Sequence, residues 1–199
     1  MLNEELYSQD AVTLAQNLLG CELVHKTPDG ITAGIIVETE AYRQDDEASH
    51  SFNGQTPRNS IMFGAGGRAY VYFTYGMHYC MNVVCGGEGF AEAVLIRALE
   101  PIEGTELMKR RRNTDDIYNL CSGPAKLVQA MGITREHNGR TLSAKDFYIK
   151  PRRFAPEVSA SPRIGISQAI DKPWRFFVTE SKFVTKHRLN KLGVIPGVG

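Results

Sequence analysis

The sequence predicts an α+β fold, a mostly antiparallel curved sheet with a protruding β-hairpin and surrounding helices. Three observations carry this. Strand-like runs recur between Cys21 and Leu99, separated by Gly- and Pro-containing turns. A few helix-like stretches, near Asp10–Leu19, Ile102–Arg112 and Ser122–Gly132, accompany them. At 199 residues, 42% hydrophobic and 23% charged, the chain suits one domain, residues 1–199, with a sizeable core.

The elements follow in order. Asp10 can cap a helix through Leu14, Leu18 and Leu19, which Gly20 stops. Cys21–Thr27 and Ile31–Tyr42 read as strands joined by a Pro28-Asp29-Gly30 turn. Residues 43–68 form a long polar, Gly-rich connection, a length usually kept for functional loops. Ala69–Phe73 and Met77–Val84 read as a hairpin, and Ala93–Leu99 as a further strand. Ile102–Arg112 is helix-like. Ser122 is positioned to cap a helix that begins Ser122-Gly123-Pro124 and ends at Gly132. Shorter strands are expected near Phe147–Lys150, Arg163–Ile166 and Trp174–Val178, and the Gly-rich tail is expected to fray.

Composition narrows the function classes. No apolar run approaches the ~18 residues of a membrane span, and the N-terminus MLNEELYSQD lacks the order of a signal peptide. Cys21, Cys80, Cys85 and Cys121 show no CxxC pair, so reduced core thiols are expected. The five histidines are scattered, and neither a metal nor a cofactor is expected. The net charge of +1 hides an asymmetry. Residues 1–105 carry 5 basic and 14 acidic side chains, whereas residues 106–199 carry 18 and 8. The basic half includes Lys109-Arg110-Arg111-Arg112 and Lys150-Pro151-Arg152-Arg153, which points to a polyanionic partner such as nucleic acid.

Two constellations could carry chemistry. Alternation along Ile35–Tyr42 puts Ile35, Val37, Thr39 and Ala41 on a core face and Ile36, Glu38, Glu40 and Tyr42 on the other. That second face holds two carboxylates roughly 6–7 Å apart beside a tyrosine. One of them could be a general base for attack of water on a sugar carbon, or stabilise an oxocarbenium-like sugar. Alternation does not say which glutamate acts, and an ordinary solvated strand face gives the same pattern.

In the hairpin, a three-residue loop with a left-handed Gly76 would pair Tyr72 with His78. It would put Tyr70, Tyr72, His78, Cys80 and Asn82 on one face. A two-residue loop would send Asn82 to the opposite face from Tyr72. Either places Tyr75 at the tip, as an ordinary exposed ring or as a wedge that enters a duplex. Gly64-Ala65-Gly66-Gly67 lacks phosphate-loop spacing and is a turn. Ser122-Gly123-Pro124-Ala125-Lys126 is a better anion candidate, with free helix-start amides and a lysine. No lysine lies between Lys26 and Lys109. An amine nucleophile is therefore missing from the aromatic-carboxylate region, and water is the expected nucleophile.

Taken together, VETEAY (37–42), DEASH (46–50), QTPRN (55–59), MF (62–63), YVYFTYGMHYCMN (70–82), LIRALEP (95–101), LCSGPAKL (120–127) and PRIGI (162–166) resemble the alkyladenine (3-methyladenine) DNA glycosylase family of mammalian type. The resemblance spans about residues 8–180. It implies a monofunctional enzyme acting alone on double-stranded DNA, in the cytoplasm of a bacterium or the nucleus of a eukaryote. Such an enzyme flips damaged purines into an aromatic pocket and hydrolyses the N-glycosidic bond, without lyase chemistry.

By position, the resemblance implies that Glu40 is the general base and that Arg97 lies near the catalytic water and DNA backbone. It implies that Tyr42 stacks on one side of the base, that His50 and Tyr72 form the other side, and that Asn82 crowds guanine's amino group. Tyr75 would be the inserted side chain. Ser122, Gly123, Lys126 and Arg163 are candidate contacts to the DNA backbone. The family pattern also selects the three-residue loop, because Asn82 and Tyr72 must share a pocket. Two other readings compete. One is a damaged-DNA binder that kept the pocket without turnover. The other is a carbohydrate hydrolase using Glu38 and Glu40, which is disfavoured because glycosidase carboxylates flank the bond rather than share a strand.

Overall fold

The computed structural model describes residues 1–74, 76–153 and 155–191. Its spine is a 13-residue strand, β2 (Gly30–Tyr42). On one edge β2 pairs with β5 (Glu92–Glu103). Its other edge is shared. The first half pairs with β1 (Glu22–Thr27), and Glu38–Glu40 pair with β8 (Arg175–Val178). β3 (Ala69–Thr74) and β4 (His78–Cys85) form the hairpin beyond β5, β6 (Phe147–Lys150) adds to β1, and β7 (Val158–Ser161) adds to β8. Among the described residues every pairing is antiparallel, in the order β3-β4-β5-β2-β1-β6 with β7 and β8 off this path, and the sheet is curled as expected.

Around this sheet lie α1 (Glu4–Tyr7), α2 (Ala11–Asn17), α3 (Thr105–Arg112) and α4 (Pro124–Met131). Asp10 caps α2 as expected, accepting from the amides of Val12 and Thr13. Leu14, Ala15 and Leu18 then pack on Ile36, Ile96 and Leu99 of the sheet, forming the main core with Leu127, Met131 and Phe147.

Four local expectations change. β5 runs through Ile102 and Glu103 because the ladder to β2 continues past Pro101, so α3 starts only at Thr105. Residues 163–166 are not a strand. The Arg163 side chain and the Ile164 amide bond to groups on and beyond β2, which draws this segment off the ladder, and β7 forms earlier, at Val158–Ser161. Ser122 does not cap α4. It makes a bridge to Ala98, and the cap position falls to Gly123 at φ 152°, a conformation open essentially to glycine.

The fourth change shapes the site. Register shifts between β2 and β5 around Glu38 break the alternation. Ile36 therefore joins the main core with Ala41, while Val37 joins Ala98, Phe177 and Val184 in a separate small cluster against which Ile35 packs. The predicted core face is thus reversed before the irregularity and kept after it.

Candidate active site

The hairpin sets the first wall. Tyr70 pairs with Asn82 and Tyr72 with Cys80, so all four side chains share one face. The connection is a three-residue loop with Gly76 at φ 68°, which glycine adopts without a Cβ penalty. Its register is one pair further out than the sequence reading. Thr74 pairs with His78, and Tyr72 meets Cys80 rather than His78. Parity is unaffected, so Tyr72 and Asn82 remain together. Tyr70 is almost fully buried and stacks on Tyr72 at 5.3 Å between centroids, a supporting role foreshadowed by its shared parity. Asn82 donates Nδ2 to the Tyr70 carbonyl at 3.2 Å.

The 43–68 connection supplies the next wall. His50 lies edge-on to Tyr72 at 4.6 Å, and its Nδ1 is 3.1 Å from Tyr70 Oη. Asn59 fixes this loop, donating Nδ2 to the carbonyls of His50 (2.8 Å) and Gly54 (3.0 Å). With Tyr42, Leu95, Arg97, Pro124 and residues 164–168, these groups enclose a cavity of about 510 Å³. Burial, then the neighbouring thiol of Cys80, raises the Tyr72 phenol, and burial with Glu40 raises that of Tyr42. Both rings stay neutral at physiological pH.

The two glutamates separate cleanly. Glu38 accepts from Arg97 Nε (2.9 Å), Arg175 Nε (2.7 Å) and the Thr185 amide (2.8 Å). Burial alone would raise its carboxyl, but Arg97 and Arg175 together hold it below the usual carboxylate range. Glu40 accepts from Tyr42 Oη (2.9 Å), Arg97 Nη1 (3.2 Å) and the Ile164 amide (2.7 Å). Glu40 is itself 0% exposed, yet Tyr42, Arg97 and Ile164 all line the cavity. Glu40 is therefore the carboxylate placed directly behind the cavity wall, and Glu38 lies one arginine further back.

The sequence profile of the family described as methylpurine-DNA glycosylase matches residues 5–182. The chain belongs to this family. Similar proteins provisionally named 3-methyladenine DNA glycosylase occur in bacteria and an archaeon. One from Rhodopseudomonas palustris (strain BisB18) is 50% identical over 93% of this chain and 90% of its own. One from Agrobacterium fabrum is 50% identical over 92% and 91%. One from Methanoculleus marisnigri is 49% identical over 90% and 96%.

In this methylpurine-DNA glycosylase family member, Arg163 does not face outward as a backbone contact would. It is 3% exposed and clamped by both oxygens of Asp46. Its guanidinium lies between the rings of Tyr42 (4.7 Å) and Trp174 (5.2 Å), so it buttresses Tyr42 from behind. Sequence reading missed Asp46 and Trp174 in this role, although Asp46 opens the DEASH stretch. Ser122, Gly123 and Lys126 lie around the start of α4, next to Pro124, which lines the cavity. Lys126 Nζ donates to Asn119 Oδ1 and lies 3.5 Å from Ser122 Oγ. Tyr75 lies outside the described residues.

The basic runs are largely engaged within the fold. Arg111 donates to the Ala130 carbonyl and Thr27, Arg112 to the Leu120 carbonyl and Gln129, and Lys109 pairs with Glu106. Lys150 pairs with Glu22, and Arg152 donates to the Gln16 and Leu19 carbonyls around the end of α2. Arg58 is exposed; it donates Nη2 to the Phe73 carbonyl at 3.2 Å, with its guanidinium 5.4 Å from the Tyr72 ring centroid. Among the described residues, no helix is long and apolar enough to cross a membrane. None of their His, Cys, Asp and Glu side chains forms a group of three or more that could hold a metal ion.

Proposed function

We propose that this protein is a monofunctional glycosylase that removes alkylated or deaminated purines from double-stranded DNA and so begins base excision repair. The observation that carries the reading is the buried Glu40 carboxylate, held by Arg97 and Tyr42 immediately behind a cavity walled by tyrosines and a histidine. The target nucleotide rotates out of the duplex at a cost of about a few kcal/mol, less where the base is damaged and poorly paired. Tyr42 stacks on one face of the base and Tyr72 with His50 on the other, while Asn82 crowds the exocyclic amino group of a normal guanine. Tyr75 fills the space left in the duplex.

Glu40 takes a proton from water as the water oxygen bonds to the sugar C1′. The N-glycosidic bond breaks, and its electron pair leaves with the base. A cationic alkylated purine leaves as a neutral molecule, whereas a neutral lesion must gain a proton. Arg97 pairs with Glu40 at 3.2 Å and so orients it. Ser122, Gly123, Lys126 and exposed cations such as Arg58 contact phosphates. The names carried by the relatives favour 3-methyladenine as one substrate. Hypoxanthine, ethenoadenine and 7-methylguanine are the further lesions to assay.

The test uses duplexes holding one hypoxanthine or one ethenoadenine, together with methylated DNA and EDTA in every reaction. Abasic sites should appear as strand breaks only after hot alkali. Glu40→Gln should slow base release at least about 100-fold while lesion binding persists, in line with the ~10²–10⁴ contribution of a general base. Lesion-selective binding without base release by the wild type would instead make the chain a damage-recognition protein.

A further inference from the structure

Behind Glu40 lie three more buried charges, so that Glu40, Arg97, Glu38 and Arg175 alternate in sign across β2, β5 and β8. The outer end of this row is closed by the segment 183–191, which follows the last family-matched residue, Lys182. Thr185 donates its amide to the free oxygen of Glu38 at 2.8 Å. Asn190 Oδ1 accepts from Arg175 Nη2 at 2.8 Å, and Asn190 Nδ2 donates to the Thr185 carbonyl at 2.9 Å. Val184 seals the row by packing in the small cluster with Val37, Ala98 and Phe177, the cluster created by the irregularity in β2.

We propose that this C-terminal strap is a positioning element for the reaction, acting on Glu40 through Glu38 and Arg97. The proposal rests on reading Glu40 as the general base. Arg97 divides its guanidinium between Glu38 at 2.9 Å and Glu40 at 3.2 Å. How that positive charge is shared sets how strongly Glu40 holds, and so accepts, a proton. The share is fixed by whatever else satisfies Glu38, namely Arg175 and the Thr185 amide. A buried carboxylate that loses a donor draws its remaining partners closer. Without the strap, Arg97 shifts toward Glu38 and leaves Glu40 less constrained. With Glu38 neutralised, Arg97 falls entirely to Glu40 and makes it a weaker base. Glu38, Arg175, Thr185 and Asn190 are positioning residues. The groups bonded to Glu40 are Tyr42, Arg97 and the Ile164 amide, and the titratable Tyr72 and Cys80 of the hairpin also feel its charge.

The experiment follows single-turnover release of hypoxanthine from a duplex between pH 5 and 9. It compares wild type, Glu38→Gln, Asn190→Ala and Glu40→Gln, with lesion-duplex Kd and thermal melts measured for each. Glu38→Gln should lower the plateau rate about 10- to 100-fold and move the acid limb of the profile about one pH unit toward lower pH. Asn190→Ala should lower the plateau rate less and move its acid limb the opposite way, with Kd within about twofold of wild type. Should Glu38→Gln fail to fold, Asn190→Ala carries the decision. Wild-type profiles in the variants, or losses that follow only the unfolded fraction with the acid limb in place, would overturn the strap proposal while Glu40 keeps its role. An inactive wild type would overturn the glycosylase reading and the strap with it.

Discussion

Asp46→Asn isolates the buttress behind Tyr42. Asp46 is fully buried and receives both terminal nitrogens of Arg163, whose side chain is also fully buried, with Lys172 adding a contact at 3.4 Å. Replacing the carboxylate by an amide keeps the volume but leaves the Arg163 cation facing a neutral group that also turns donor atoms toward it. Breaking a buried pair in this way costs about 3–5 kcal/mol. The partly exposed Lys172 is then freed to water, which favours the lower end, about 3 kcal/mol. For a chain of this size that corresponds to a Tm drop of about 6–12 °C. Urea unfolding at pH 7 of Asp46→Asn, Arg163→Met and the double variant would measure it, with an expected coupling of at least about 2 kcal/mol. The carboxyl is raised by burial but pulled lower by Arg163, so its folded value lies below its unfolded one. Its contribution is present above the unfolded pKa of about 3.9 and is lost as pH falls through the folded value. A destabilisation under about 1 kcal/mol, or additive single variants, would refute the reasoning.

Three further outcomes are expected. His25 must donate Nδ1 to the Met131 carbonyl (2.8 Å), and His137 accepts the Thr134 amide on Nδ1 (3.0 Å), so the Nε2 contact at 3.0 Å requires both rings neutral. Burial first lowers both, with Arg111 and Arg140 adding at His25 and His25 itself adding at His137. Stability should therefore be full above the unfolded histidine value and fall below about pH 6.5, approaching about 2.7 kcal/mol per pH unit for two protons. A flat urea-midpoint profile from pH 7.5 to 5 would contradict this. Arg111→Ala should cost about 1–3 kcal/mol of stability by removing bonds to Ala130 and Thr27. The exposed Arg110→Ala should leave stability within about 0.5 kcal/mol, and filter binding across salt would show whether either alters the DNA slope. Asn82→Ala should raise release of normal guanine from undamaged duplex, and unchanged guanine release would place the discrimination elsewhere.

What the sequence made legible is the part governed by period two. Tyr70, Tyr72, Cys80 and Asn82 share a face because parity survives any even slip of register, so the pocket wall was readable although the pairing was placed one step inward. Parity failed where an irregularity intervened. Ile36 and Val37 exchanged faces around the register shift at Glu38, and no composition or turn signal marks that spot. The paired carboxylates could not be told apart from sequence for a different reason. Their difference depends on partners 50 or more residues away, with Arg175 and Thr185 reaching Glu38 and Ile164 reaching Glu40.

The charge asymmetry pointed to a polyanion, in keeping with the DNA substrate of this family, but it did not show which cations face outward. A basic run in sequence is a count, whereas a guanidinium has five donors that any nearby carbonyl can take. Arg111, Arg112 and Arg152 hold backbone carbonyls in place, and Arg163 and Arg175 are buried against Asp46 and Glu38. All five of these arginines come from the second half of the chain, while the carboxylates that Arg163 and Arg175 reach, Asp46 and Glu38, come from the first. The opposite charges of the two halves therefore serve in large part to join them around the site. This division of labour predicts that salt weakens DNA binding only as far as exposed cations near the cavity mouth allow. The slope should be shallower than the 18 basic residues of the second half would give if all met phosphates.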